Sequence, residues 1–482
     1  MPLRVLAVAS ECFPLVKTGG LADVVGALPA ALAAEDIAVT TLLPGYPVVM
    51  QALGEATATH ALPGFFGGDA RLLRCRAAGL ELVVLDAPHL YARPGNPYLA
   101  PGGREWEDNG TRFAALASAG AMVARGALGE AFDAVHAHDW QAGLVGAYLR
   151  FGPQPRVPLV FTVHNLAFQG QFPAWLFPLL GLPPAAFSVA GLEYHGGVGL
   201  LKAGLWFADR ITTVSPSYAT EIRTPEGGMG LDGLLRGRGS DVSGILNGID
   251  TEEWNPATDG HLAACFSAED AAPRATNKAA LQRRFGLEER ADVPLFGFVG
   301  RLAWQKGVDL ILEALPWLLG SGAQLAVLGS GDAQLEERCL GAAAANAGRI
   351  GTVIGFDEGL ARLIYGGADS VLVPSRFEPC GLAQLCALRY GAPPLVARVG
   401  GLADTVIDAN EAAVAAGSGT GVQFAPVSVE MLGAAMQRMV ALYRQPTMWA
   451  QLRANALRAD VSWHRSAARY AALFRGMATA DA

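Results

Sequence analysis

Short apolar runs alternate along the chain with glycine-bearing or polar turns and with stretches whose apolar residues recur at helical spacing. Parallel α/β layers produce this alternation. The first run, Leu3 to Ala9, leads through ECFPLVKTGG into Leu21, Val24, Val25, Leu28 and Leu32. That stripe predicts a helix, with a kink expected at Pro29. Further strands are predicted at Val39–Leu43, Leu80–Leu85, Ala134–Ala137, Leu159–Val163, Ile211–Val214 and Val242–Leu246. After Asn247-Gly248 the pattern lapses into GIDTEEWNPATDGHLAACFSAEDAAPRATNKAALQRRFG, which reads as a linker passing into a helix. It restarts at Leu295–Gly300, continues through the turn RLAWQKG into a helix striped by Val308, Ile311, Leu312, Leu315 and Leu318, and adds strands at Leu325–Leu328, Gly351–Gly355, Ser370–Val373 and Pro394–Ala397. Two doubly wound α/β domains joined near residue 248 fit this pattern, with a final helical segment from Trp463 to Met477. The motif GGLADVV at Gly19–Val25 returns as GGLADTV at Gly400–Val406. Either a good helix start has been reused, or both starts offer backbone N–H groups to an anion in a shared cleft.

Composition narrows the class. The 482 residues suffice for two or three domains. A hydrophobic fraction of 51% against 17% charged excludes a disordered chain. Mean hydropathy is +0.29, yet no stretch of about 18 apolar residues runs clear of charge or of Pro and Gly clusters. No membrane association is expected, and the apolar excess is assigned to strands buried on both faces. The net charge of -8 argues against nucleic acid as a partner. An anionic ligand must then be met by a few placed cations. The six cysteines form no CxxC pair, and the start MPLRVLAVAS is too soon followed by Glu11 and Lys17 to be a secretory signal, so a reducing, cytoplasmic setting is expected.

Candidate chemistry lies in the turns. Lys17-Thr18-Gly19-Gly20 sets an ammonium beside glycines that permit close backbone approach, but it matches no Walker pattern, and no GxGxxG follows the first strand. Arg301 and Lys306 put two cations in the corresponding turn of the second half, suited to a leaving diphosphate. Glu378, in PSRFEPCGLAQL, precedes a helix expected to start near Gly381. It can bind sugar hydroxyls while the N–H groups of Gly381, Leu382 and Ala383 take a phosphate, or it can simply balance a helix dipole. His136-Ala-His138-Asp139 and His164-Asn165 end strands of the first half. His-x-His sets two imidazoles on one strand face, but no third ligand follows at a metal-site spacing, and no metal is expected. Asp139 can cap the next helix, and His164 is either a core histidine or part of a ligand cleft. The stretch ARPGNPYLAPGGREWEDNGTRF, with Tyr98 and Trp106, is either a carbohydrate contact or a mobile loop.

In order, KTGGLADVVGALP, HAHDWQA, FTVHNLAFQG, VSPSY, ILNGIDTEEWNP, GRLAWQKG, PSRFEPCGL and GGLADTV resemble the motifs of bacterial glycogen synthases and their plant starch synthase relatives, from Leu3 to about Trp463. The resemblance implies a glycosyltransferase-B fold: two Rossmann-like domains, expected at 1–247 and 248–460 with a cleft between them, and a terminal helix, 461–482, crossing back to the first. It implies transfer of glucose from ADP-glucose to the non-reducing 4-OH of an α-1,4-glucan such as glycogen, with retention and without a cofactor. By the same resemblance Lys17 belongs to the donor site, with Gly19, Gly20 and Asp23 of its motif. Arg301 and Lys306 meet the diphosphate, and Glu378 orients the glucose. His164 flanks the reacting carbon. Asp139, Trp140 and Glu11 line the glucose and acceptor region. Asn247 touches the donor, and Phe356 falls where the family sets an aromatic ring on adenine. Tyr98 is counted among the substrate contacts.

Two positions depart from the pattern. Ala383 replaces a frequent hydroxyl or amide residue, a loss of one side-chain hydrogen bond of about 1 kcal/mol. Cys386 stands where relatives often carry Tyr, and where some related retaining transferases carry a second Glu. The absence of that Glu favours the glycogen synthase branch. The alternative is a non-catalytic glucan or nucleotide-sugar scaffold of the same fold, against which the retained Lys17, Arg301, Lys306, Glu378 and His164 argue. The missing GxGxxG disfavours a nicotinamide-dependent oxidoreductase, and nothing independent supports the pyridoxal lysine of a glucan phosphorylase.

Overall fold

The chain divides into two units, Met1–Asn247 with Trp463–Ala482 and Gly248–Ser462, and among the described residues the first holds twelve strands and the last helix besides its other helices. The computed structural model describes residues 2–153 and 156–478. The strands of the first unit are β1 (Leu3–Val8), β2 (Ile37–Pro44), β3 (Ala58–Phe65), β4 (Gly68–Ala77), β5 (Leu80–Asp86), β6 (Ala134–His138), β7 (Leu159–Val163), β8 (Gln171–Phe172), β9 (Glu193–Tyr194), β10 (Gly197–Gly199), β11 (Arg210–Thr213) and β12 (Val242–Gly244). Nine form one sheet in the order β12-β11-β7-β6-β1-β2-β5-β4-β3, and β8-β10-β9 form a small separate one. Strands β1, β2, β5, β6, β7, β11 and β12 run parallel, and the central β6 and β7 are buried throughout, as strands covered on both faces must be.

The β3–β4 hairpin departs from the all-parallel expectation, pairing antiparallel with itself and with β5 at the sheet edge. Pro63 and Gly64 argue against a strand there, but the edge tolerates them through a register shift between Leu62 and Phe65. The first helix, Gly20–Ala33, runs unbroken through Pro29. The last, His464–Ala478, belongs to the first unit: Ala467, Tyr470, Ala471 and Phe474 are buried with Val5, Val24, Leu28, Ile37, Ala134 and Val160. Each large side chain so buried contributes roughly 1.5–3 kcal/mol.

The second unit holds β13 (Leu295–Val299), β14 (Gln324–Gly329), β15 (Ile350–Ile354), β16 (Ser370–Val373), β17 (Pro394–Ala397) and β18 (Val422–Phe424), all parallel in the order β15-β14-β13-β16-β17-β18. The first strand thus lies between the second and the fourth of its unit. In both units the chain reverses its direction of travel across the sheet beside the first strand, between β1 and β6 and between β13 and β16. Loops at the carboxyl ends of such strands diverge and leave a crevice.

The segment expected to be a linker is instead a fixed part of the second unit. The buried Arg362 guanidinium stacks 4.2 Å from the Trp254 ring and donates to the Glu253 carbonyl at 2.8 Å, Tyr390 OH donates to Asp259, and Asn277 Oδ1 accepts from Ala264 N–H at 2.9 Å. Its Asp, Glu and Asn residues looked solvated in sequence because their partners lie up to 131 residues away. Among the described residues no helix is long and apolar enough to cross a membrane.

Candidate active site

In the first unit the candidates gather at the ends of β1, β6 and β7. Glu11, just past β1, is buried, and its carboxylate accepts from Thr18 Oγ1 at 2.6 Å, from Gly19 N–H at 3.2 Å, and from Thr18 N–H and Tyr98 OH. The turn before the first helix therefore already holds an anion supplied by the chain. Lys17 Nζ pairs with Asp23 Oδ1 at 2.7 Å and remains half exposed. A Cβ at Gly19 would meet nothing within 4 Å.

Tyr98 reaches Glu11 and Ser10 (2.8 Å) because its stretch is tied down. Asn96 Oδ1 accepts from Tyr98 N–H and Leu99 N–H at 2.8 and 2.7 Å, the Arg93 guanidinium grips both Asp108 oxygens and covers Trp106, and buried Arg112 donates to the Leu90 and Pro97 carbonyls at 2.9 Å. These contacts hold the two ends of the stretch, while Pro101 to Glu105 between them are exposed. Trp140 is half-buried, packed edge-on against Phe113 at 4.9 Å and closed on one side by Gly170, whose Cβ would come 2.3 Å from its ring.

His136 and His138 share a face of β6, their rings 4.0 Å apart, but point to different partners. His136 Nε2 lies 2.6 Å from Thr162 Oγ1 and its ring packs against Tyr470 and Phe474. His138 Nδ1 lies 3.0 Å from His164 Nε2, at the end of β7. Burial pushes the His136 and His164 imidazoles down to about 3 and His138 well below its ordinary value, so all three are neutral near pH 7. Asp139 holds a positive φ of 55° between them, and its Oδ1 accepts from His164 N–H at 2.7 Å. Burial raises its carboxyl to about 7, against the pull of the His164 and Asn165 N–H groups. Asp139 thus anchors the backbone of His164 rather than capping a helix by its side chain. Among the described residues no group of three or more His, Cys, Asp or Glu side chains could hold a metal ion. Asn247 ends the first stretch of the first unit, and its Oδ1 is buried with no hydrogen-bond partner among the described residues.

In the second unit the loops after β13 and β16, the strands flanking its reversal point, run side by side. Lys306 Nζ meets Glu378 Oε2 at 2.6 Å, and Ser375 Oγ donates to the same oxygen at 2.8 Å. Arg301 is exposed beside them in sequence, with Gln305 Oε1 at 3.4 Å. Phe356, after β15, is 85% exposed, an open ring such as a stacked base would cover. The helix after Glu378 starts at Ala383, two residues later than the sequence suggests, because Gly381 takes φ +78° and the chain turns there first. Its first N–H groups have no intrahelical acceptors and no side chain caps them.

Gly400 and Gly401 do not repeat the part of Gly19 and Gly20. A Cβ at Gly400 would fall 2.1 Å from the Glu378 carbonyl oxygen and one at Gly401 2.3 Å from that of Cys380, while Gly401 N–H donates to Glu378 O at 3.0 Å. This glycine pair lets one backbone press on the Glu378 loop, and the Gly401 N–H is engaged there instead of facing an anion. The sequence reading also missed Ser375, Gln305, Asp309 and Arg376. They stand inside or beside the quoted motifs, but their pairings span up to 72 residues and carry no local signal.

Comparison with known proteins gives a consistent picture. Residues 4–237 match the family model described as starch synthase catalytic domain, and residues 281–456 that of glycosyl transferases group 1. A glycogen synthase of Rhodopseudomonas palustris strain BisA53 is 59% identical over 481 residues, covering 99% of this chain and 98% of that protein. One from Acidiphilium cryptum is 60% identical over 476 residues, covering 98% and 99%. Among solved structures, the catalytic domain of starch synthase IV from Arabidopsis thaliana, bound to ADP and acarbose, superposes with a TM-score of 0.88 at 30% identity, covering 99% of this chain and 100% of that one.

Proposed function

Because the chain belongs to the glycogen and starch synthase family of glycosyltransferases, with its glycosyltransferase-B fold of two Rossmann-like units, we propose that it transfers glucose from ADP-glucose to the non-reducing 4-OH of an α-1,4-glucan, in the cytoplasm and with retention. The observation that carries this reading to particular residues is the Lys306–Glu378 pair, 2.6 Å apart in the two loops that flank the reversal point of the second unit. An ammonium and a carboxylate there match the two ends of a nucleotide sugar, a diphosphate and a ring of hydroxyls. ADP in the starch synthase IV structure supports the choice of nucleotide.

In this reading Arg301 and Lys306 neutralise the diphosphate as the bond to the anomeric carbon breaks, Glu378 accepts hydrogen bonds from the glucose hydroxyls, and Phe356 stacks on adenine. Gly381, Leu382 and Ala383 offer N–H groups to phosphate. Lys17, Asp23, Gly19 and Gly20 meet the donor from the first unit, with Asn247. Glu11, Tyr98, Asp139 and Trp140 line the glucose and acceptor region. His164, neutral and anchored through its N–H by Asp139, flanks the reacting carbon. A double displacement needs a carboxylate beneath that carbon. With histidine in that place, departure and attack occur on one face: the C1–O bond to phosphate breaks, the C1–O4 bond forms, and the acceptor's hydroxyl proton passes to the leaving phosphate oxygen. Glucose transfer onto glycogen, measured with ADP-glucose and UDP-glucose for the parent and Lys306→Ala, tests the reading. Preferred use of ADP-glucose, lost in the variant, is expected. No transfer from either donor sinks the function, and a covalent glucosyl adduct trapped on Glu378 or Asp139 sinks the one-face mechanism.

A further inference from the structure

Between Trp304 and Arg376 lies an arrangement that the reading above does not use. The loops after β13 and β16 are closed on each other along their length. Gly307, at φ +70°, lets the Pro374 carbonyl oxygen approach to 2.2 Å from where a Cβ would be. Arg376 N–H donates to the Gln305 carbonyl at 2.8 Å, and Gln305 Nε2 donates back to the Phe377 carbonyl at 3.2 Å. The Arg376 guanidinium then crosses to the other loop. It donates to both oxygens of Asp309, at 2.8 and 2.6 Å, and to the Trp304 carbonyl at 2.6 Å, and it lies 4.4 Å from the centre of the Trp304 ring.

We propose that Arg376 is a positioning residue of the donor site: it fixes the turn Trp304–Asp309 at both ends, so that Lys306, between them, is held against Glu378 and ready for a diphosphate. The proposal rests on the reading that Lys306 and Glu378 meet the nucleotide sugar. Arg376 is not itself a phosphate ligand, because Asp309 already neutralises it; the same contact holds the Asp309 carboxyl below its ordinary range. What it supplies is geometry. Lys306 carries its charge on a flexible stem, and a stem rooted in a loose turn spends little time where the charge is needed. Arginine suits the task because one planar group can grip a carboxylate with two nitrogens and stack on an indole at once, which an ammonium cannot do.

The test uses the full-length protein and five substitutions, one of them also in combination. Arg376→Ala should raise the KM for ADP-glucose and weaken ADP binding by about tenfold. The KM for glycogen should stay within about twofold and the melting temperature within a few degrees. Arg376→Lys should fall between parent and Ala. Asp309→Asn, which removes the charge of one anchor, and Trp304→Ala, which removes the ring but keeps the carbonyl contact, should shift ADP binding in the same direction, the second by less, and serve if Arg376→Ala does not fold. Because the effect passes through Lys306, Arg376→Ala combined with Lys306→Ala should bind ADP no more weakly than Lys306→Ala alone. Losses that add in full, an unchanged affinity in Arg376→Ala, or equal rises in KM for both substrates would overturn the proposal. If Lys306→Ala alone leaves ADP affinity unchanged, it is the donor-site reading that fails, and the proposal with it.

Discussion

The histidines at the ends of β6 and β7 fix how the protein responds to acid. His136 and His138 are almost wholly buried, and both titrate far below the roughly 6.5 they would show in the unfolded chain. A lowered folded value means that their contribution to stability is complete above pH 6.5 and is lost as pH falls from there towards about 3. Asp139 works in the opposite sense: its raised value, about 7 against 3.8, favours the folded state at low pH, and that contribution fades as pH climbs to 7. Thermal melts between pH 4 and 8 should show a steep fall below 6.5. His136→Asn should start less stable at pH 7.5 and fall less steeply, while Asp139→Asn should fall more steeply than the parent. A His136→Asn profile parallel to the parent's would mean the imidazole does not titrate on unfolding. As its side chain also anchors His164, Asp139→Ala should lose transfer activity more than it loses stability at pH 7.5.

At the scale of loops and strands, what matters is where backbones must touch. A Cβ at Gly401 meets the Cys380 carbonyl oxygen at 2.3 Å, and one at Gly307 meets that of Pro374 at 2.2 Å with an unfavourable φ as well, whereas Gly19 has open space. Gly401→Ala and Gly307→Ala should each cost about 3 kcal/mol or more, and Gly19→Ala within about 0.5 kcal/mol, measured by denaturant unfolding. A loss of activity in a stable Gly19→Ala protein would then report on ligand approach alone. The same contrast explains what could be read from the sequence. Strands such as Leu159–Val163 and Ser370–Val373 are buried on both faces, so hydrophobicity alone marks them. The hairpin β3–β4 is half exposed, alternates arginines with apolar residues and contains Pro63, so it carried no such mark. Glu378 and Lys306 were legible singly, from their motifs. Their contact was not, nor was the grip of Arg376 on Asp309, because arginine and aspartate at exposed-looking positions are what any solvated helix displays. The repeated GGLAD motif left two readings open for a related reason: a glycine needed for close backbone approach looks, in sequence, like one needed for a ligand.

On the scale of the whole chain, the two units differ in continuity. The second comprises one stretch, Gly248–Ser462, and contains its own apolar clusters, which include Phe296, Leu318, Leu372 and Leu395 on one side and Leu281, Ile364 and Tyr390 on the other. The first is interrupted: Tyr470 and Phe474 complete the cluster formed by Val5, Val24, Ile37 and Val160. Residues 248–462 produced alone should therefore melt cooperatively, residues 1–247 should aggregate or expose apolar surface to a hydrophobic dye, and joining 463–482 to them through a flexible linker should restore folding. A well-folded 1–247 fragment would contradict this. The interruption also bears on how the molecule is made. On the ribosome, the sheet built on β1 emerges early but waits for its covering helix until the intervening 248–462 has been translated, a delay on the order of ten seconds or more at cellular elongation rates. During that interval the nascent chain carries an uncovered apolar face, a natural substrate for chaperones. A premature stop after Ser462 would spare every strand of all three sheets and still leave the part synthesised first unfinished.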